Sequence, residues 1–251
     1  MSDLAPAPGT KVCVVGGAGG IGRAVVAALE RAGCAVAVLD LPASLKKYPA
    51  AMGIEIDAAD EASVTGAFAR LGGHWNGLGS LINLCGYKVA LKPIGALSLS
   101  EWDDGIAGNL RSAFLVSRAA IPLIKTSGGG TVVHVSSGIG TYGMSGYGPY
   151  AAAKGAINAM AKTLAKDYAP DIRVNIVAPS LVDTAFLTGG TGRSNEDEAD
   201  PIDRAAYTRN IPLQRVAEPA DIVGPILFLA GPASRYMTGQ ILYVNGGAFM
   251  P

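Results

Sequence analysis

Apolar, β-branched runs alternate along this chain with stretches in which apolar residues recur every three or four positions. The runs read as strands over Lys11–Val15, Ala35–Leu39, Gly53–Ile56, Ser80–Leu84, Thr131–Ser136, Ile172–Val177 and Gln240–Val244. Helices are expected near Gly20–Ala32, Asp60–Leu71, Ser98–Gly108, Leu110–Lys125, Pro149–Tyr168 and Pro219–Ala230. Ser98 and Glu101 have the spacing of a capping box, which marks a helix start. Strands such as VCVV and AVAVL are apolar at nearly every position, as strands covered on both faces must be. Alternation of such strands with helices predicts an α/β fold. The expectation is one doubly wound parallel sheet of about seven strands, with residues 1–251 as a single domain.

One segment breaks the rhythm. From Ala185 to Pro212 the chain turns polar, glycine-containing and acidic, with a short helical stretch near Ile202–Arg209. A long excursion after the sixth strand reads as a substrate lid over residues 185–212, with a plain surface loop as the alternative. The acid-rich run Glu196–Asp203 reads as its solvated face.

Composition narrows the possible functions. Lys and Arg together number 20 against 20 Asp and Glu, so the net charge is zero and neither nucleic acid nor an anionic membrane is an expected partner. The N-terminal MSDLAPAPGT has no basic segment followed by an apolar one, and no apolar stretch approaches a bilayer span, so a cytoplasmic protein is expected. Cys13, Cys34 and Cys85 lie in or beside apolar runs without disulfide or zinc spacing and read as buried free thiols. His134, inside a strand, and His74, on a surface turn, read as structural, and no metal site is expected.

Three places carry chemistry. Strand Lys11–Val15 runs into a glycine-rich turn that opens a helix, where backbone N–H groups and the helix dipole suit a pyrophosphate. Its glycines fit two patterns, G-x-G-x-x-G on Gly17, Gly19 and Gly22, or G-x-x-x-G-x-G on Gly16, Gly20 and Gly22. Asp40 ends the second strand, where a carboxylate can hold both adenosine ribose hydroxyls and repel a 2′-phosphate, favouring NAD over NADP; the alternative is a turn cap. Tyr150 and Lys154, four apart at the head of a helix, share one face, and an ammonium there would lower the phenol from its ordinary value of about 10. Ser137 ends the strand before them.

Taken together, the glycine loop, Asp40, Ser137, Tyr150 and Lys154 resemble the short-chain dehydrogenase/reductase family, over nearly the whole chain. Tyr150-Ala-Ala-Ala-Lys154 matches its Y-x-x-x-K, and Gly16, Gly20 and Gly22 match its cofactor motif, which selects the second glycine pattern. The resemblance implies a Rossmann fold in which Gly19, Ile21, Asp57, Ala58, Asn83, Gly86, Pro179, Val182 and Thr184 complete the NAD site. It makes Tyr150 the acid/base, Ser137 the holder of the substrate oxygen, and Lys154 the partner of Tyr150 and of the nicotinamide ribose. Asn109 joins them in a water-linked proton relay through Lys154. The chain departs from the family pattern at Val15, Leu84, Cys85, Ser180 and Asn245.

Met144, Leu181, Phe186 and Leu187 line the expected substrate pocket, suggesting a small-to-medium, largely apolar secondary alcohol or ketone. A 3-oxoacyl-thioester reductase is the alternative enzyme, and a non-catalytic dinucleotide sensor the alternative outside enzymes. Lys88 and Lys92 are the candidates for an anion clamp. Small residues along the Tyr150 helix (Ala151, Ala152, Ala153, Gly155, Ala156) would let a second helix approach closely, and the resemblance implies pairing into dimers or tetramers, a homotetramer being the expectation.

Overall fold

The structure, a computed structural model, describes residues 4–89, 91–188, 190–192 and 202–251. Seven strands form one parallel sheet in the order β3-β2-β1-β4-β5-β6-β7: β1 Lys11–Val15, β2 Ala35–Asp40, β3 Gly53–Glu55, β4 Ser80–Asn83, β5 Gly130–Val135, β6 Ile172–Pro179 and β7 Ile241–Val244. Each lies within two residues of its expected bounds. The helices are α1 Gly20–Arg31, α2 Pro42–Lys47, α3 Glu61–His74, α4 Leu99–Ile106, α5 Ser112–Thr126, α6 Ile139–Tyr142, α7 Gly148–Asp167, α8 Arg204–Arg209 and α9 Pro219–Ala230.

Alternate strand residues face opposite layers, as a period of two requires. Val12 and Val14 pack with Val25, Leu29, Ile222 and Ile226 of α1 and α9. Cys13 and Val15 point the other way, into a core with Leu71, Ile121 and Ile124 of α3 and α5. Each such fully buried Leu or Ile contributes roughly 1.5–3 kcal/mol. The anticipated start of α4 is present, with Ser98 and Glu101 forming a complete capping box.

The sheet also fixes where a ligand can sit. β1 pairs with β2 on one side and with β4 on the other, so the chain reverses direction across the sheet at β1. A crevice opens at the carboxyl ends of strands at such a reversal. The glycine turn after β1 and the Asn83–Gly86 turn after β4 flank it. Among the described residues no helix is long and apolar enough to cross a membrane.

Besides the short α2, two local features escaped the hydrophobic pattern. The helices expected at Ser98–Gly108 and Leu110–Lys125 run together through a π-helical turn, Ala107–Arg111. Packing explains it: a Cβ on Gly108 would sit 1.9 Å from the Tyr87 ring, and Asn109 Nδ2 donates to Tyr87 O and Gly105 O. The short α6 is the other. It packs on α7 through Gly140 and Gly155, where a Cβ on Gly155 would come 2.9 Å from Gly140 O. The small side of α7 at Gly155 therefore serves a contact within the chain.

Candidate active site

At the crevice, packing distinguishes the two glycine patterns. Gly16 has φ +80°, a Cβ on Gly20 would lie 2.5 Å from Thr184 Cγ2, and one on Gly22 would lie 2.2 Å from Gly16 O. Gly19 is less constrained, its closest contact being 3.3 Å. The spacing 16, 20 and 22 is thus the one that the turn and its neighbours require. Asp40 binds from the next strand: Oδ2 accepts from Ala18 N at 2.9 Å and Oδ1 from Leu41 N at 2.8 Å. It caps the glycine turn and its own loop together. Burial pushes its carboxyl up against these lowering hydrogen bonds.

At the other end of the cleft, α7 presents Tyr150 and Lys154, both buried, at 7% and 3% exposure, beside Ser137. The Lys154 ammonium stands 5.4 Å from the centre of the Tyr150 ring and donates to Val135 O at 3.0 Å. The shared face is as expected. The pKa direction is not: burial pushes Tyr150 above its ordinary range, the Ser137 hydroxyl being the group that pulls it back. Burial likewise brings Lys154 down to about 8. In the protein by itself, desolvation outweighs the attraction that the sequence suggested.

Asn109 lies behind this cluster on the π turn, fully buried, and its Oδ1 accepts no hydrogen bond among the described residues. Gly86 separates it from Lys154. A Cβ there would fall 2.5 Å from Asn109 Oδ1 and 3.2 Å from Lys154 Nζ, at a φ of +149°. Only glycine leaves that space between the two polar atoms.

Asn83 does not line the cleft. Its Oδ1 accepts from Cys85 N and its Nδ2 lies 3.3 Å from His134 Nδ1, while His134 Nε2 lies 3.2 Å from Ser117 Oγ. Ser117 already donates to Ala113 O, so His134 is placed as a neutral ring that accepts from Asn83 and donates to Ser117. Burial, with the Lys154 charge beyond it, brings His134 down from 6.5 to about 4. The native ring thus binds a proton less readily than the unfolded one. Stability should therefore fall as pH drops from about 6.5 to about 4, by roughly 3 kcal/mol from this group. Denaturant titrations at pH 7.5 and 4 should show that part of the loss absent in His134→Gln. An unchanged pH dependence in the variant would rule it out.

The chain after β6 closes over the cleft. Phe186 lies with its ring 5.7 Å from that of Tyr150, Ser44 Oγ donates to Thr191 O, and Tyr207 Oη accepts from Leu181 N. Helix α8 falls within the helical stretch anticipated there, whereas most of the acidic run at 196–203 lies outside the described residues. Ile21, Asp57, Ala58, Met144, Pro179, Leu181, Val182, Thr184 and Leu187 all line the cleft, about 310 Å³ in volume.

Other lining residues were not anticipated as such. Tyr87, Cys85 and Tyr207 face the cleft; α8 was foreseen, but nothing local showed that Tyr207 returns to Leu181. Cys85 is half-buried, unlike Cys13 and Cys34, which are buried as expected. Lys92 is withdrawn as a clamp, because it pairs with Glu101. Asn245, where Asp was the family pattern, uses its amide both ways: Nδ2 donates to Phe249 O and Oδ1 accepts from Gly247 N. Among the described residues no cluster of metal-ligating side chains occurs.

The cleft residues fit a dinucleotide. The turn at the α1 N-terminus rejects every side chain at Gly20 and Gly22, Asp40 stands at the neighbouring strand end, and an orphaned buried acceptor sits beside Lys154. A family model described as enoyl-(acyl carrier protein) reductase matches residues 16–248. A tropinone reductase homolog of Arabidopsis thaliana is 35% identical over 250 residues, 95% of this chain and 92% of its own. A 3-oxoacyl-[acyl-carrier-protein] reductase of Aquifex aeolicus is 30% identical over 250 residues, 94% of this chain and 96% of its own. The crystal structure of a Brucella melitensis short-chain dehydrogenase/reductase, described as glucose/ribitol dehydrogenase, superposes with a TM-score of 0.88 at 26% identity, covering 98% of this chain and 99% of that one.

Proposed function

This chain belongs to the short-chain dehydrogenase/reductase family of oxidoreductases, whose Rossmann fold implies a nicotinamide dinucleotide, and from that premise we propose an NAD-dependent alcohol dehydrogenase/ketone reductase. Its substrates on this reading are small-to-medium, largely apolar secondary alcohols and their ketones. The observation that carries it is the meeting of Ser137, Tyr150 and Lys154 at one end of a cleft whose other end holds Asp40.

When bound, the nicotinamide supplies the hydride acceptor or donor. The chain's own residues handle position and the proton. Ser137 Oγ orients the substrate oxygen, and Tyr150 Oη takes the alcohol proton or returns it to the ketone. A cation at Lys154 and the Ser137 hydroxyl favour the phenolate against the cost of burial, and Asn109 Oδ1 suits a water that links Lys154 to bulk. Phe186, its ring tilted against that of Tyr150, excludes water from the reacting atoms. The described residues of the expected lid, 185–188, 190–192 and 202–212, cover the cleft on this reading. Asp40 selects NAD: a 2′-phosphate beside an engaged carboxylate costs several kcal/mol, so NAD should bind about a hundredfold tighter than NADP. Calorimetric titration with both nucleotides checks this, and Asp40→Asn should narrow the gap. Equal affinities in the parent protein would defeat the assignment.

A 3-oxoacyl-thioester reductase is the second reading, favoured by the Aquifex aeolicus relative. Screening secondary alcohols, ketones and an acetoacetyl thioester by cofactor absorbance separates the two. Faster reduction of the thioester than of every simple ketone would replace the first reading with the second. We further propose a homotetramer in the cytoplasm, which suits three free thiols and the small face of α7, where Ala151 and Ala156 are half-buried and Ala152 is exposed.

A further inference from the structure

The charged residues lining the cleft are sorted by sign. Asp40 and Asp57 lie at the end where the glycine turn is, whereas Lys88 and Lys154 lie at the end with Tyr150. Among the described residues no carboxylate lines the Tyr150 end. Lys154 is accounted for by its place behind Tyr150. Lys88 is not.

Lys88 follows Tyr87 on the turn after β4 and donates to Leu187 O at 2.6 Å, one residue from the Phe186 whose ring lies 5.7 Å from that of Tyr150. That bond sets its ammonium beside the reacting end. Neighbouring cations have carboxylates: Lys92 pairs with Glu101, and Arg204 holds Asp183 through two bonds of 2.7 and 2.8 Å. Lys88 makes no ion pair among the described residues. A half-buried ammonium with three N–H donors and one carbonyl acceptor is incompletely compensated, and an anion in the cleft would complete it. The hydroxyl of Tyr207 lines the same end; it accepts from Leu181 N, which leaves its own hydrogen to donate.

We propose that Lys88 is a specificity-determining residue that binds a carboxylate on the substrate, so that the preferred substrates are small hydroxy acids and oxo acids. The inference rests on the oxidoreductase reading above and narrows it. The number of charges selects the anion. A phosphate carries nearly two charges and is usually met by paired or forked cations, whereas one point-charge lysine and one hydroxyl match a single carboxylate. The apolar residues Met144, Leu181 and Phe186 then enclose the carbon chain between carboxylate and carbonyl.

The test uses the full chain with NADH and a matched panel of oxo acids, their carbonyl two, three or four carbons along, each beside its methyl ester. For the best acid, kcat/KM should exceed that of its ester by about tenfold to a hundredfold, the worth of a hydrogen bond to a charged group. In Lys88→Met that ratio should collapse toward one, and Lys88→Arg should restore part of it. A lysine acting only through Leu187 O would lower acid and ester together and keep the ratio, which overturns the proposal. Calorimetry of the NADH complex with butyrate and with butyramide provides a readout free of turnover. Butyrate should bind tighter, and Lys88→Met should remove the difference. Esters and ketones turned over as well as acids would overturn the carboxylate assignment and leave the oxidoreductase reading intact. Lys88-dependent butyrate binding, with no turnover of any carbonyl or alcohol, would sink that reading and keep the anion site.

Discussion

Tyr150→Phe is expected to lower turnover of every alcohol or ketone substrate by about a thousandfold while NAD binding stays within severalfold. The change deletes one oxygen and keeps the ring. Contacts of that ring with Phe186 and Tyr147 therefore survive, and α7 keeps its docking through Gly155. What disappears is the hydroxyl proposed to exchange a proton with the substrate, which lies beside Ser137 and near the Lys154 charge. General acid/base catalysis by a positioned side chain is worth roughly a hundredfold to ten-thousandfold. Steady-state rates by cofactor absorbance and nucleotide affinity by calorimetry check the two halves separately. Turnover unchanged in the variant would remove Tyr150 from the proton path. Loss of NAD binding along with turnover would show a packing role instead.

The second large effect is at the cofactor turn. Gly22→Ala is expected to weaken NAD binding by at least a hundredfold and to destabilise the protein by about 3 kcal/mol. In an ordinary helix interior the same change would be favourable by roughly 1 kcal/mol, since alanine is the better helix former. Gly22 sits inside α1, so propensity predicts a gain. Sterics decide the sign, because the new Cβ would meet Gly16 O at 2.2 Å and Gly17 Cα at 2.6 Å. These are backbone atoms of the turn itself, and they cannot swing aside as a side-chain end could. Overpacking of this kind costs typically 1–3 kcal/mol, and displacing the turn also disturbs the N–H groups offered to a pyrophosphate. Gly66→Ala in α3 is the control, with nothing within 4 Å of its Cβ, and should be neutral to slightly stabilising. Denaturant unfolding and nucleotide titration of both variants provide the comparison. Similar behaviour at the two positions would refute the close-packing account of the turn.

Much of this architecture is legible along the chain because it repeats locally. The strands carry near-continuous apolar runs and the helices carry three- and four-residue spacing, so all seven strands and the main helices appear within two or three residues of their expected ends. The capping box at Ser98 and Glu101, the glycine turn and the Tyr150/Lys154 spacing are short-range codes of the same kind. The π turn at Asn109 and the little helix α6 were not legible. Their causes are a Tyr87 ring 22 residues from Asn109 and a contact between Gly140 and Gly155. Neither leaves a periodic trace.

The site divides in the same way. Sequence by itself determined the α/β order and the family, and it anticipated most of the residues that line the cleft, because those depend on spacing within one element or one turn. Only the tertiary structure supplied the steric reason for the glycine pattern that the resemblance had selected, since that reason depends on what Thr184 and Gly16 O leave room for. It also reversed the expected direction of the Tyr150 shift. Proximity to Lys154 follows from four-residue spacing, but the desolvation that outweighs it comes from elements distant in sequence, which only folding brings together. Lys88 against Lys92 was settled likewise, by which of them finds a carboxylate and which finds only a carbonyl. Local codes write spacing; the balance of burial against charge is a property of the assembled cleft.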